Sequence, residues 1–156
     1  MATANWTGDE LPTDGRIVAV DFGTKRLGLA ISTPEQNLST PLEVITRYTA
    51  AVDARRLRDL QEDYLVAGYV VGLPLHMNGD ESSSSHKARE FGRWLKETTG
   101  KPVGFWDERC SSAAADDWML EADLTRQHRK QLRDKLAAHV ILQSFLAAHR
   151  PARPPE

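Results

Sequence analysis

The chain opens its ordered pattern with two apolar runs, residues 17–20 (IVAV) and 27–31 (LGLAI). Between them lie Asp21, Phe22 and a turn, Thr24-Lys25-Arg26, bracketed by Gly23 and Gly28. Unbroken apolar runs of this length predict strands buried on both faces. The short glycine-containing link predicts that they form a hairpin. Residues 42–48, with Val44 and Ile45, predict a third strand. From residue 50 to 64 the period changes: Val52, Leu57, Leu60 and Leu65 fall near one helical face, and Asp53, Arg56, Arg58, Asp59 and Glu62 suit the solvated side. Residues 68–73, GYVVGL, predict a buried strand, and the polar stretch 74–85, PLHMNGDESSSS, predicts a loop. A helix is expected over 85–99, with Ala88, Phe91, Trp94 and Leu95 as its stripe and Gly100 as its stop. Residues 102–106 predict the last strand. Ser111 or Ser112 suits the cap of a helix over 113–120, and Thr125 that of a long final helix reaching His149.

Three successive strands followed by alternating helices and strands define an α/β chain. The expected sheet is mixed and five-stranded, a three-strand antiparallel meander plus two parallel strands, covered by helices. One domain is expected over residues 16–150. The polar stretch 1–15, with Gly8, Pro12 and Gly15, predicts a mobile tail, and 151–156, PARPPE, a proline-rich end that stops the last helix. In sheets of this kind ligands gather beyond the strand ends.

That rule directs attention to three carboxylates. Asp21 ends the first strand and Glu108 follows the last. Asp134 lies three and four residues before Ala137 and Ala138, on the face that Ile141, Phe145 and Ala148 continue. A carboxylate on a packed face is unfavourable unless paired or metal-bound. Each has a plainer reading: Asp21 as a turn former, Glu108 in a surface pair with Arg109, Asp134 paired with Arg133 or Lys130. Together they are the oxygen ligand set that Mg²⁺ or Mn²⁺ requires. Two such ions can activate a water and stabilise the leaving oxygen of a phosphodiester.

Length and composition are compatible with this and exclude other classes. At 156 residues, 40% hydrophobic and 27% charged, the chain suits one soluble domain. No apolar run approaches a membrane span. The first residues lack the basic flank and apolar core of a signal peptide, so cytoplasmic residence is the expectation. A single cysteine, Cys110, rules out an internal disulfide or a multi-cysteine zinc site. The net charge of -2 hides a local excess of cations. Lys25 and Arg26 follow Asp21, Arg109 follows Glu108, and Arg126, His128, Arg129, Lys130, Arg133 and Lys135 surround Asp134. Such residues hold a phosphate backbone without reading its sequence, although most charge runs are merely solvated faces. Gly72, Asn78, Gly79 and Ser82–Ser85 are candidates for a substrate-side loop. The histidines show no metal-binding spacing.

Four segments, DFGTKRLGLAIS, VVGLPLHMNG, VGFWDERCSS and RDKLAAHVIL, resemble in order the signature blocks of the YqgF or RuvX family. The likeness covers residues 16 to about 149. Its one lesser departure is Cys110-Ser111-Ser112, where the family more often has leucine before serine or threonine. The resemblance implies a ribonuclease H-like fold with its acidic positions on Asp21, Glu108 and Asp134. It further implies metal-dependent phosphodiester hydrolysis in maturing the 5′ end of 16S ribosomal RNA. Structured RNA is the implied partner, and monomer or homodimer remains open. A DNA junction resolvase is the alternative within the same chemistry. A non-catalytic nucleic-acid-binding module would be expected to have lost a carboxylate. A sugar-kinase or actin-like ATPase would need a second such domain.

Overall fold

The computed structural model describes residues 6–110 and 126–149, apart from the side chains of residues 110, 126, 127 and 129–135. Five strands form one sheet: β1 (Arg16–Phe22), β2 (Arg26–Ser32), β3 (Ser39–Thr46), β4 (Val66–Leu73) and β5 (Val103–Asp107). Their spatial order is β3-β2-β1-β4-β5. The first three pair antiparallel, and β4 and β5 run parallel to β1. The expected meander plus two parallel strands is therefore the architecture found. The helix predicted over 113–120 lies outside the described residues.

The helices divide between the two faces. α1 (Ala50–Tyr64) and α2 (Ser83–Thr99) cover one, and α3 (Arg126–His149) the other. Alternation along β1 explains the division. Val18 and Val20 enter the core shared with Leu57, Phe91 and Leu95, while Ile17 and Ala19 enter the core shared with Ala138, Ile141, Leu142 and Phe145. Asp21 continues the second series, on the α3 side.

Two local expectations need correction. Leu65 is not on the packed stripe of α1 but is its left-handed C-cap, φ 55°, and is 81% exposed. Asp53 is not solvated but buried, because its carboxylate accepts from the Tyr48 backbone N–H at 3.0 Å and from Arg47 Nε at 3.4 Å. The 82–85 serines also serve the fold. Ser82 caps α2 and exchanges hydrogen bonds with Ser85 in a capping box, at 2.9 and 2.7 Å.

The stretch expected to be a mobile tail is bonded to the sheet side from residue 6 onward, and its part around Asp9 is a strap along β5. The Asp9 N–H donates to the Val103 carbonyl at 2.7 Å, and its carboxylate accepts from the Val103 N–H at 3.0 Å. Lys96 Nζ and Trp6 Nε1 donate to the same carboxylate at 2.7 and 3.1 Å, and the Trp6 ring meets Phe105 edge-on. Burial pushes the Asp9 carboxyl upward, but the hydrogen bonds from Lys96, Val103 and Trp6 outweigh it and hold it below its ordinary value. The unfolded chain then binds this proton more readily, so the stabilisation is full above the ordinary aspartate range and fades as pH falls through the lowered value. Asp9→Ala is expected to cost about 1–2 kcal/mol at pH 7. In urea titrations of the two proteins, that difference should shrink below about pH 4.

Candidate active site

The site begins with the parallel register. Val20 on β1 lies beside Val71 on β4, so Asp21 falls beside Gly72, and Gly72 in turn pairs with Trp106 on β5. Glu108 begins a single 3₁₀ turn (Glu108–Cys110) directly after β5. Its side chain crosses back over β4. A Cβ at Gly72 would lie 2.6 Å from Glu108 Oε1 and 2.6 Å from Ile141 Cδ1 of α3. Only a glycine leaves that path open. The Glu108 carboxyl thereby reaches Asp21 and hydrogen-bonds with it. Burial, the Asp21 charge, that hydrogen bond and the Asp107 charge together push Glu108 up to about 7. Two carboxyl groups in contact need a proton or a cation between them.

Asp21 also lines a recess of about 280 Å³, together with Gly23, Thr24, Lys25, Arg26, Gly28 and Val44. The two cations are exposed. The turn carrying them is held from behind, by Arg47. Its Nη1 donates to the Gly23 carbonyl at 3.3 Å, its backbone N–H to the Lys25 carbonyl at 2.9 Å, and its Nε to buried Asp53. The guanidinium lies over the stacked rings of Phe22 and Phe91, 5.3 and 5.6 Å from their centres. Sequence reasoning missed Arg47 and Asp53. A lone arginine after a strand and an aspartate in the first turn of a helix carry no signal that they meet.

The structure thus brings Asp21, Glu108, Lys25 and Arg26 to one sheet end. Arg109 is next to them but engaged: Nε donates to both Asp107 oxygens at 3.0 and 2.9 Å, and Nη1 to the Met77 carbonyl at 2.9 Å. Arg129, Lys130, Arg133 and Asp134 lie in the first half of α3, with side chains outside the described residues. Asp134 is seven residues, about two helical turns, before Ile141, the residue that touches the Glu108 path. Among the described residues no group of three metal-ligating side chains forms. Asp21 and Glu108 nevertheless suit a hard divalent cation. Both offer carboxylate oxygens, and a cation would relieve the repulsion between them.

A parallel pair of strands ending in apposed carboxylates, with an antiparallel hairpin beside it and a helix behind, is a ribonuclease H-like arrangement. The fold is shared with Thermus thermophilus RuvC, solved in complex with a Holliday junction substrate. That likeness has a TM-score of 0.55 at 14% identity, over 86% of this chain and 96% of that one. The fowlpox virus Holliday junction resolvase aligns with a TM-score of 0.50 at 17% identity, over 85% and 99%. Sequence relatives carry the family. A Rhodopirellula baltica protein named "Putative pre-16S rRNA nuclease" is 43% identical over 96% of this chain and 87% of its own. A Rhodobacter capsulatus protein of the same name is 41% identical over 87% and 86%. The profile of the RuvX family, described as Holliday junction resolvase, matches residues 15–148, and the chain belongs to that family.

Gly72→Ala tests the crossing. The added methyl should displace the Glu108 carboxylate and leave the sheet in place. The expected outcome is an unchanged far-ultraviolet circular dichroism spectrum with Mg²⁺ binding weakened at least about tenfold, since second partners of metal ligands count for that much.

Proposed function

We propose that this chain is a divalent-metal-dependent nuclease that cleaves structured RNA in the cytoplasm, with the 5′ end of the 16S ribosomal RNA precursor as its substrate. The observation that carries this reading is the contact of Asp21 with Glu108 at the parallel strand ends, beside the exposed cations of the Lys25-Arg26 turn. Acidic oxygens that hold a cation, next to basic side chains that hold a phosphate, are what phosphodiester hydrolysis requires. The names of the relatives agree with it.

Asp21 and Glu108 would hold Mg²⁺ or Mn²⁺, and Asp134 is proposed to complete the set from α3. When bound, the ion supplies a Lewis acid that activates water and stabilises the departing oxygen. Lys25 and Arg26 position the phosphate by charge, and Arg129, Lys130 and Arg133 are proposed to extend that contact along the backbone. The rigid mount behind the turn matters here, since misplacing a phosphate by about 1 Å costs on the order of a hundredfold in rate. The family's description favours one second reading, resolution of four-way DNA junctions.

Asp21→Asn is expected to abolish cleavage of a 16S precursor fragment while leaving the fragment bound. Cleavage by purified Asp21→Asn protein would remove Asp21 from the site. Assayed in parallel, a four-way DNA junction should resist the wild-type protein; preferential cutting of the junction would make the resolvase reading the correct one.

A further inference from the structure

The loop between β4 and α2 is built, and Arg109 builds it. Within the loop the His76 N–H donates to the Asp80 carbonyl at 2.9 Å, and the Gly79 N–H to the His76 carbonyl at 2.8 Å. Asn78 bridges forward to Asp80 through both its amide atoms, at 3.0 Å each. Gly79 has φ 93°, a conformation that suits glycine, and the face a Cβ would occupy lies 3.5 Å from Arg109 Nη1. The loop also starts beside the site, since Leu75 is three residues beyond Gly72 and its N–H donates to the Leu73 carbonyl at 3.0 Å. Met77, at the tip, is 88% exposed.

Arg109 joins this loop to the turn that carries Glu108. Asp107 fixes the guanidinium by the fork described above, and Asp107 also caps the turn, accepting from the Arg109 backbone N–H at 2.9 Å. The remaining arm reaches the Met77 carbonyl, and the flat face covers Gly79. A guanidinium directed in this way spans two elements that share no sheet hydrogen bond, something a lysine's point charge does not do.

We propose that Arg109 is a positioning residue that clamps the 75–80 loop against the Glu108 turn, and that the clamped loop forms one wall of the RNA-binding surface, opposite the Lys25-Arg26 turn. The second half rests on the nuclease reading; the clamp does not. Arg109 then acts through Met77 and Gly79, and its charge is spent on Asp107 and not on a phosphate.

Amide hydrogen exchange and RNA binding separate the possibilities, using Arg109→Gln and Asp107→Asn in an Asp21→Asn background with a labelled 16S precursor fragment and Mg²⁺. Both substitutions should speed exchange at His76 and Gly79 at least about tenfold. Both should weaken RNA binding about tenfold, as removal of a charge-assisted hydrogen bond does. The slope of log Kd against log salt should not change for Arg109→Gln. A direct phosphate contact predicts the opposite pattern: that slope falls by about 0.7 on Arg109→Gln, and Asp107→Asn tightens binding by freeing the guanidinium. Unchanged exchange in both variants overturns the clamp. Faster exchange with unaltered RNA affinity overturns the wall. If the parent protein binds no RNA, the wall falls together with the nuclease reading, and exchange alone still decides the clamp.

Discussion

Two carboxyl groups in contact repel, and the fold must hold them there against that repulsion. Glu108 cannot relax outward, because the turn that carries it is tied back to Asp107, and its side chain lies in a groove between Gly72 and Ile141. Asp21 cannot retreat, because β1 is the central strand, paired on both sides. The cores on the two faces of the sheet supply the stabilisation that offsets this. Val18 and Val20 are anchored under α1 and α2, and Ile17 and Ala19 under α3, all four with no exposed surface. A strand fixed from both faces gives its terminal side chain little freedom. Such rigidity suits a metal site, whose ligands must stay in place when the ion leaves.

The same economy shapes the surroundings. The turn with Lys25 and Arg26 is set by the β1–β2 hairpin and the pairing of Arg26 with Thr46, and it is braced by Arg47, which is itself held by a buried aspartate and two aromatic rings. Burying the Asp53 carboxylate is tolerable because it receives both a main-chain N–H and a guanidinium. Carboxylates and cations thus sit on separate supports and meet only at the recess.

Much of this was legible in the residues. Strand runs, helix stripes and the meander-then-alternation order determine the sheet, because period and element order are local properties. Asp21 and Glu108 were legible as strand-end acids. What could not be read were contacts between distant polar groups. Asp53 looks solvated on a helical wheel, since nothing nearby in sequence shows that the chain entering α1 turns its N–H groups toward it. Arg109 reads as a phosphate ligand, and nothing in the sequence shows the Asp107 and Met77 partners around it. Gly72 is one glycine among 10, and only the side chain crossing it shows why it is there. The strap over β5 was missed because its order comes from a partner nearly a hundred residues away.

That strap has a consequence for how the sheet meets other molecules. Strands at the two margins of an open sheet offer unpaired main-chain groups to any extended peptide. At β5 the outward N–H and carbonyl of Val103 are taken by Asp9, one through its backbone and one through its side chain. At β3 the guard is of another kind, with Pro41 lacking an N–H and an irregular register opposite Leu29 and Ala30. The two margins are therefore guarded by different means, a cover at Val103 on one and a proline with a broken register on the other.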